Sequence, residues 1–511
     1  MEDDLAAFPY VNGGLFADEN IEIPRFTEEI VDLLVNKASA GFDWSEISPT
    51  IFGAVFESTL NPETRRSGGM HYTSLENIHK VIDPLFLDAL KAELEEIKAL
   101  KVAKTREQRL QEYRKKLSQL TFLDPAAGSG NFLTETYLSL RRLENEALYE
   151  ENHGQMLLGV KGEYNPIQVS IGQFYGIEIN DFAVTVAKTA LWIAESQMMQ
   201  ETEKLMQINL NFLPLKSYAN IVEGNALRID WESVVPKEKL NYIMGNPPFV
   251  GYSLQSKEQK SDILSIYVDE KGKPYKTAGK IDYVAGWYFK ATMLMIGTEI
   301  RTAFVSTNSI TQGEQVAGVW KPLYDRFGIH IDFAHRTFRW DSEASLKAHV
   351  HCVIVGFSIA DNAMDRLLFD SDRYIVVDNI NPYLIATKTV FIEGHTKPIC
   401  NSIIPMISGN RPADGGNLIL SQVEKDELIS KEPQAEKYIK RFMMGYEFIN
   451  NVPRYCLWLV GISPAELRKM PEVMKRVEAC RQDRLNGAPD RQKLADTPTV
   501  FREQLNPDKF I

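Results

Sequence analysis

Short apolar strands alternate with amphipathic helices from residue 120 to about residue 358, which predicts an α/β fold on a doubly wound, mainly parallel sheet. A glycine loop, Asp124-Pro125-Ala126-Ala127-Gly128-Ser129-Gly130, falls between the first strand and the first helix, and an acid, Glu178, ends the second strand. Both positions are carboxyl ends of strands, where open α/β sheets hold their ligands. A third landmark, Asn246-Pro247-Pro248-Phe249, directly follows a later strand.

Residues 1–75 mix turns with short amphipathic helices. Residues 28–38 carry Ile30, Val31, Leu34 and Val35 at helical spacing, and residues 49–60 carry Ile51, Phe52, Val55 and Phe56. Residues 84–119 read as one long charged helix or a hairpin of two, with Leu87, Leu90, Leu94 and Ile97 as the apolar stripe. Strands follow at 120–124, 174–179, 219–222, 242–244, 301–306, 329–333 and 350–358. The first helix after the glycine loop sets Leu133, Tyr137, Leu140, Leu143 and Ala147 on one face; others are expected at 182–199, 284–296 and 316–327. Beyond about 365 the alternation weakens, prolines and short strands dominate to about 440, and a charged helix is expected over 464–485. The chain therefore divides into a helical region over 1–75, an α/β domain over 76–375 and a C-terminal region over 376–511.

A chain of 511 residues has room for two or three domains, each with its own core. Hydrophobic residues at 44% and charged ones at 25% describe a soluble globular protein, and the apolar stretches are only strand-length. The N-terminus, Met1-Glu2-Asp3-Asp4, has neither the basic nor the apolar part of a signal peptide. Cys352, Cys400, Cys456 and Cys480 form no CxxC pair, which argues against a zinc site or a disulfide framework and fits a reducing cytoplasm. A net charge of −12 argues against nucleic acid as a partner, since neutralising phosphates takes Lys and Arg. Basic residues nevertheless cluster at 101–116, 271–280 and 336–339, and each run alone reads as a solvated face.

Glycine in the 124–130 loop lets backbone approach a ligand, and the helix start offers unpaired N–H groups. Such a loop suits phosphate, a dinucleotide or S-adenosylmethionine, but it lacks the Lys-Ser/Thr ending of a P-loop and the third glycine of the dinucleotide fingerprint. Glu178 can accept from both hydroxyls of a ribose, or it caps the helix that starts near 181. Asn225, in Glu-Gly-Asn-Ala226-Leu after the third strand, can bond an adenine amino group or simply form a turn. At 246–249 the chemistry is more specific. An exocyclic amine on a planar base is activated by acceptors for both its hydrogens; the Asn246 carbonyl is one and the Pro247 backbone carbonyl a second. Consecutive prolines stiffen the loop, and Phe249 can stack on an extracted base. The tetrapeptide arises by chance in roughly 0.2% of chains this long, which sets it above a bare proline turn.

On these residues the chain resembles the class I S-adenosylmethionine-dependent DNA adenine methyltransferases of the γ arrangement, and more closely the MmeI-type (type IIL) restriction–modification enzymes. The matching segments are 8–16 (Phe-Pro-Tyr-Val-Asn-Gly-Gly-Leu-Phe), 47–57 (Ile-Ser-Pro-Thr-Ile-Phe-Gly-Ala-Val-Phe-Glu) and 69–74 (Gly-Met-His-Tyr-Thr-Ser). They continue through the 124–130 loop, 245–249 and 301–309 (Arg-Thr-Ala-Phe-Val-Ser-Thr-Asn-Ser). The resemblance implies a seven-stranded-type methyltransferase sheet behind a helical connector and ahead of the start of a target-recognition region. It implies S-adenosylmethionine as cofactor, held by His71, Tyr72, Thr73, Asp124, Pro125, Ala126, Gly128, Gly130, Asn131, Glu178, Ile179, Asn225 and Ala226. The catalytic loop is then Asn246, Pro247, Pro248 and Phe249, the partner is double-stranded DNA with a flipped adenine, and Asp282 lies near the substrate side of the 250–282 loop.

The chain departs from that family in three places. It begins where the connector would, so a nuclease domain or subunit is expected outside it, and the chain alone is expected not to cut DNA. Glu96-Ile97-Lys98 lies on a predicted helix and does not replace a nuclease motif. The target-recognition region of the family continues past the position of Ile511, and Ala127 replaces a common cysteine. His349 and His351 alternate along a strand and read as packing or surface residues. Two other functions remain open on sequence: methylation of a protein glutamine, whose amide suits the same loop, and a catalytically inactive DNA-binding specificity subunit.

Overall fold

The structure is a computed structural model that describes residues 25–39, 48–49, 73–152, 165–207, 210, 220–340, 350–360, 365–371, 373–395 and 409–505. The chain forms two compact units, Met1–Gly394 and His395–Ile511.

In the first unit a nine-stranded sheet has the order β3-β2-β1-β4-β5-β7-β6-β8-β9. The strands are β1 Phe122–Asp124, β2 Phe174–Glu178, β3 Asn220–Glu223, β4 Tyr242–Gly245, β5 Arg301–Thr307, β6 His330–Trp340, β7 Val350–Ser358, β8 Arg366–Asp370 and β9 Arg373–Val377. Strands β3, β2, β1, β4 and β5 run parallel, β7 is antiparallel to both β5 and β6, and β6 pairs parallel with β8. The sheet is thus parallel over the half from β3 to β5. The β8–β9 hairpin adds two strands to the seven expected, in the stretch where the sequence pattern weakens.

Helices flank the sheet: α1 Glu28–Asp32, α2 Leu75–Ile82, α3 Asp88–Lys98, α4 Ala103–Gln119, α5 Asn131–Glu151, α6 Asp181–Met206, α7 Lys257–Ile266, α8 Ala285–Met295 and α9 Gly313–Phe327. Among the described residues none is long and apolar enough to cross a membrane. The region read as one helix or two is a pair, α3 and α4, and Leu87, Leu90, Leu94 and Ile97 are all buried. A wide π turn, Asp83–Leu87, joins α2 to α3 where Pro84 withdraws a donor from the helical ladder. After α1 the expected helix likewise widens into a π turn, Leu33–Ser39. The segment 49–60 lies almost wholly outside the described residues, as do His71, Tyr72 and His349.

Successive strand residues serve opposite faces, the period of two that a strand imposes. Phe122, Phe174 and Ile354 join the core beneath α2 to α6, whereas Leu123, Ile177, Val353 and Val355 join the core beneath α7 to α9. Burial on both faces is why these strands read as unbroken apolar runs. Strand β6 extends seven residues beyond its expected end at 333; bulges near Ile331 and His335 shift its register, and the polar residues they admit hide the strand pattern.

The second unit holds a three-stranded antiparallel sheet, β10 Ile419–Ser421, β11 Ile439–Arg441 and β12 Arg454–Leu457, in the order β10-β12-β11. Its helices are α10 Gln422–Lys431, α11 Gly445–Asn450, α12 Pro464–Leu467, α13 Pro471–Leu485 and α14 Pro489–Gln492. The charged helix expected over 464–485 is therefore two, α12 and α13. Pro471, taken up at the start of α13, ends the earlier turn because the residue before a proline avoids helical geometry.

Candidate active site

The sheet order reverses between β1 and β4. Chain progress runs β1 to β2 to β3 on one side, then resumes with β4 and β5 on the other. Ligands bind open α/β sheets at such a switch point; Asp124 ends one of the two strands that flank it, and Asn246 directly follows the other.

The glycine loop leaves β1 with Gly128 and Gly130 at φ +53° and +81°, a backbone region that side chains disfavour. Space is a second constraint at Gly130: a Cβ there would lie 2.8 Å from the Cβ of Ala187 on α6. Glycine lets the loop seat on that helix. Glu178 ties the loop from the next strand, accepting from Gly128 N–H at 2.8 Å with one oxygen and from Asn180 N–H at 3.1 Å with the other. The helix cap suggested for Glu178 is made instead by Asn180, whose side chain accepts from Ala183 N–H at 2.9 Å. Glu178 thus organises the cradle while its oxygens keep lone pairs for a ligand. Ile179, beside it, is 63% exposed and offers an apolar face.

Asp124 is 1% exposed; its Oδ1 accepts from Ala126 N–H at 3.0 Å, and its Oδ2 has no partner among the described residues. Burial pushes its carboxyl up to about 8, against the pull of the Ala126 N–H and with help from the nearby Glu178 carboxylate. Burial also raises Glu178, opposed by the N–H groups of Asn180, Gly128 and Ile179. No basic side chain of the described residues bonds either acid, which suits a ligand bringing positive charge and hydroxyls. Gly245 makes room for this arrangement, since a Cβ there would meet Asp124 Oδ1 at 2.3 Å. Asn131 Oδ1 and Thr134 Oγ1, in the first turn of α5, are also buried without partners among the described residues. Pro125 holds the outer wall, its carbonyl accepting from Trp287 Nε1 at 2.9 Å.

Asn225 makes the turn that is one of its two sequence readings. Its side-chain oxygen accepts from Leu227 N–H at 2.9 Å, and its amide donates to Asp262 Oδ2 at 3.1 Å, so both ends are occupied within the protein. Ala226 is buried, its carbonyl taken by Trp231 Nε1 and Lys290 Nζ, each at 2.8 Å. The sequence reading missed Asp262, which on α7 also accepts from Arg228 Nε at 2.7 Å and Tyr283 OH at 3.0 Å. Nothing local marks it, because its partners lie 21 to 37 residues away.

Asn246 leaves β4 with its Nδ2 donating to Thr73 Oγ1 at 3.2 Å and its Oδ1 buried without a partner among the described residues. Pro247 is buried, Pro248 and Phe249 are half-buried, and the Phe249 ring packs on the core below α2 to α6. Thr73 is itself 5% exposed, just ahead of the Ser74 cap of α2. The loop beyond is pinned: Tyr283 N–H donates to Val250 O at 2.9 Å, and Asp282 accepts from Tyr252 N–H at 3.0 Å and from Ser309 Oγ. Glu96 and Lys98 stay on α3, Lys98 pairing with Glu95 and Glu146, and His351 is exposed on β7.

The family model for the MmeI DNA-methyltransferase domain matches residues 100–370, and that for the MmeI target recognition domain matches residues 386–510. The chain belongs to the MmeI DNA-methyltransferase family. Its first unit contains that family's methyltransferase domain, and its second holds most of the match to the MmeI recognition domain. DNA methyltransferase A of Bacillus subtilis is 38% identical over 505 residues, 98% of this chain and 55% of that protein. A putative type II restriction enzyme and methyltransferase of Methanocaldococcus jannaschii is 27% identical over 274 residues, 47% of this chain and 22% of the relative. The solved type IIL restriction-modification enzyme MmeI in complex with DNA is 42% identical with a TM-score of 0.87, covering 99% of this chain and 66% of that one. The chain spans about half the length of the first relative and less of the second.

Proposed function

We propose that this chain transfers a methyl group from S-adenosylmethionine to the exocyclic amine of an adenine flipped out of double-stranded DNA, as the modification part of a restriction–modification system. The observation that carries the reading is Asn246 Oδ1, a buried acceptor with no partner among the described residues, at the sheet's switch point. A buried acceptor of this kind costs roughly 1–3 kcal/mol unless a ligand satisfies it. An amine hydrogen satisfies it, and the Pro247 carbonyl is the second acceptor in the same loop. Drawing both hydrogens toward these oxygens frees the nitrogen lone pair from the ring, while Phe249 offers a face for the base to stack on.

When bound, the cofactor supplies an electrophilic methyl group on a sulfonium. The residues present suit it: Asp124 Oδ2 has no partner among the described residues, and the glycine loop leaves backbone uncovered beside Glu178 and Ile179. Thr73, Asp124, Pro125, Ala126, Gly128, Gly130, Asn131, Glu178 and Ile179 would line the site. Asn225 and Ala226 would act as its braced wall, and His71 and Tyr72 belong to the same reading from sequence. The solved MmeI was bound to DNA, which makes duplex DNA the first substrate to test. The names of the relatives join restriction with methylation, so a nuclease working alongside is part of the same proposal.

Incubation with methyl-labelled S-adenosylmethionine and DNA of varied sequence, followed by nucleoside analysis, should give N6-methyladenine at a fixed sequence. Label recovered only in protein, or on cytosine, would overturn the adenine reading.

A further inference from the structure

We propose that the turn at residues 251–254 is a wedge, tipped by Leu254, that enters the DNA duplex and holds open the space vacated by the flipped base. The inference rests on the adenine-flipping reading and names a residue that the reading does not require.

Leu254 is 81% exposed and Tyr252 45% exposed. Single exposed apolar residues are ordinary on a protein surface, but this one is held stiffly on every side. Leu254 N–H closes the turn on Gly251 O at 2.9 Å, and Tyr252 N–H is fixed to Asp282 at 3.0 Å. Gln255, only 8% exposed, anchors the next residue to Ile281 O at 2.9 Å. Ser256 and Gln259 then form a reciprocal cap that fixes the start of α7. An apolar tip on so ordered a base loses little entropy when it inserts.

Position and charge identify the partner. Leu254 follows Phe249 by five residues, a reach of at most about 18 Å even for extended chain. In the chain segment that follows it, Lys257, Lys260, Lys271, Lys273, Lys276 and Lys280 are all exposed, and none forms an ion pair with an acid of the described residues. In the basic run at 101–116, Arg109, Arg114 and Lys116 are held by Glu112, Glu151 and Glu93, while Lys101, Lys104 and Lys115 are exposed. Five acids share the lysine segment: Asp262 and Asp282 are buried among their partners, Asp269 accepts the backbone N–H groups of Lys271 and Lys273, and Glu258 and Glu270 are exposed. In a chain of net charge −12, a segment whose exposed lysines outnumber its exposed acids complements phosphates around an apolar tip. Extracting a base costs unstacking and leaves a gap, and apolar side chains placed between base steps offset that cost.

The test uses the full chain and a short duplex bearing the methylated site mapped by labelling. The target adenine is paired with thymine in one duplex and lies opposite an abasic position in the other. Leu254→Ala should slow single-turnover methylation of the paired adenine about ten-fold or more. It should act within about two-fold of wild type on the pre-opened adenine, and Leu254→Met should stay near wild type on both. With 2-aminopurine at the target, the alanine variant should show a smaller fluorescence rise on binding. Equal rates for wild type and Leu254→Ala on the paired duplex, or equal slowing on both duplexes, would overturn the wedge. Absence of transfer by the wild type to any DNA would instead remove the adenine reading, and the wedge with it.

Discussion

Two buried polar regions in this chain are built on opposite principles. In the second unit the Arg484 side chain is fully buried, and its five N–H donors reach five backbone carbonyls, those of Ala413, Leu494, Thr497, Pro412 and Val500, at 2.8–3.1 Å. In the first unit, beyond β1 and β4, Asp124 Oδ2, Asn131 Oδ1, Thr134 Oγ1 and Asn246 Oδ1 are buried with no partner among the described residues. A guanidinium with every donor satisfied is a finished structural joint. Several orphaned oxygens at the carboxyl ends of two central strands and in the first turn of α5 form an unfinished one, which suits a ligand. Other orphaned atoms are scattered, and some are the Nε of arginines, such as Arg114 and Arg141, whose other nitrogens are bonded. Clustering, more than orphaning, distinguishes the site.

The contrast breaks first at Arg484. Arg484→Met strips five carbonyls of their donor at once, and each buried group left unpaired costs roughly 1–3 kcal/mol. The loss in stability should be at least about 3 kcal/mol, the scale for removing one partner of a buried charged network. Urea unfolding followed by tryptophan fluorescence should show it, while affinity for S-adenosylmethionine, assigned to the first unit, should stay unchanged. Wild-type stability in this variant would mean that the carbonyls find other partners and that the joint is dispensable.

The site should show the reverse pattern, with little loss of stability and a large loss of rate. Asn246→Ala removes an acceptor that has no partner among the described residues and one hydrogen bond to Thr73, so folding should be little harmed. Methyl transfer should nevertheless fall by about two orders of magnitude, as when a preorganised transition-state partner is lost. Thr73→Val tests the same amide one step removed. It deletes the oxygen that receives Asn246 Nδ2 and should lower kcat about ten-fold with little change in KM for DNA. Thr73→Ser should restore the rate. Near-normal transfer by a folded Asn246→Ala protein would sink the mechanism.

Which parts were legible in the sequence follows from how local the cause is. Strand–helix alternation, the glycine loop and the acid at the end of β2 are written in neighbouring residues, and the parallel half of the sheet follows from them. The β8–β9 hairpin was not legible, because β9 carries exposed Tyr374, Ile375 and Val376 at an edge instead of an alternating pattern. Among site residues, the placement of Asn246 after a strand could be read, but its bond to Thr73 joins residues 173 apart in sequence. The brace on Asn225 was hidden for the same reason: Asp262, which accepts from its amide, lies 37 residues on.

The smallest expected effect, and the most discriminating, is a proton. In the unfolded chain Asp124 would titrate near its ordinary value of 3.8, whereas in the fold burial holds it up to about 8. Between those values the fold keeps a proton that the unfolded chain has lost, so this group's contribution to stability falls as pH rises through the window and levels off above about 8. A ligand bearing sulfonium and ammonium charge favours the ionised carboxylate and should reverse that preference. Binding S-adenosylmethionine should therefore release close to one proton at about pH 6.5, below the range in which the cofactor's own α-amino group titrates. Affinity should rise by up to about ten-fold between about pH 6 and 7, since one proton gives at most ten-fold per pH unit. Calorimetry in two buffers of different ionisation enthalpy reads this release directly. Asp124→Asn should abolish most of it, and Glu178→Gln should remove a smaller share, because backbone N–H groups already oppose the rise at Glu178. A pH-independent affinity would place the cationic part of the cofactor away from Asp124, and the orphaned Oδ2 would then need another explanation.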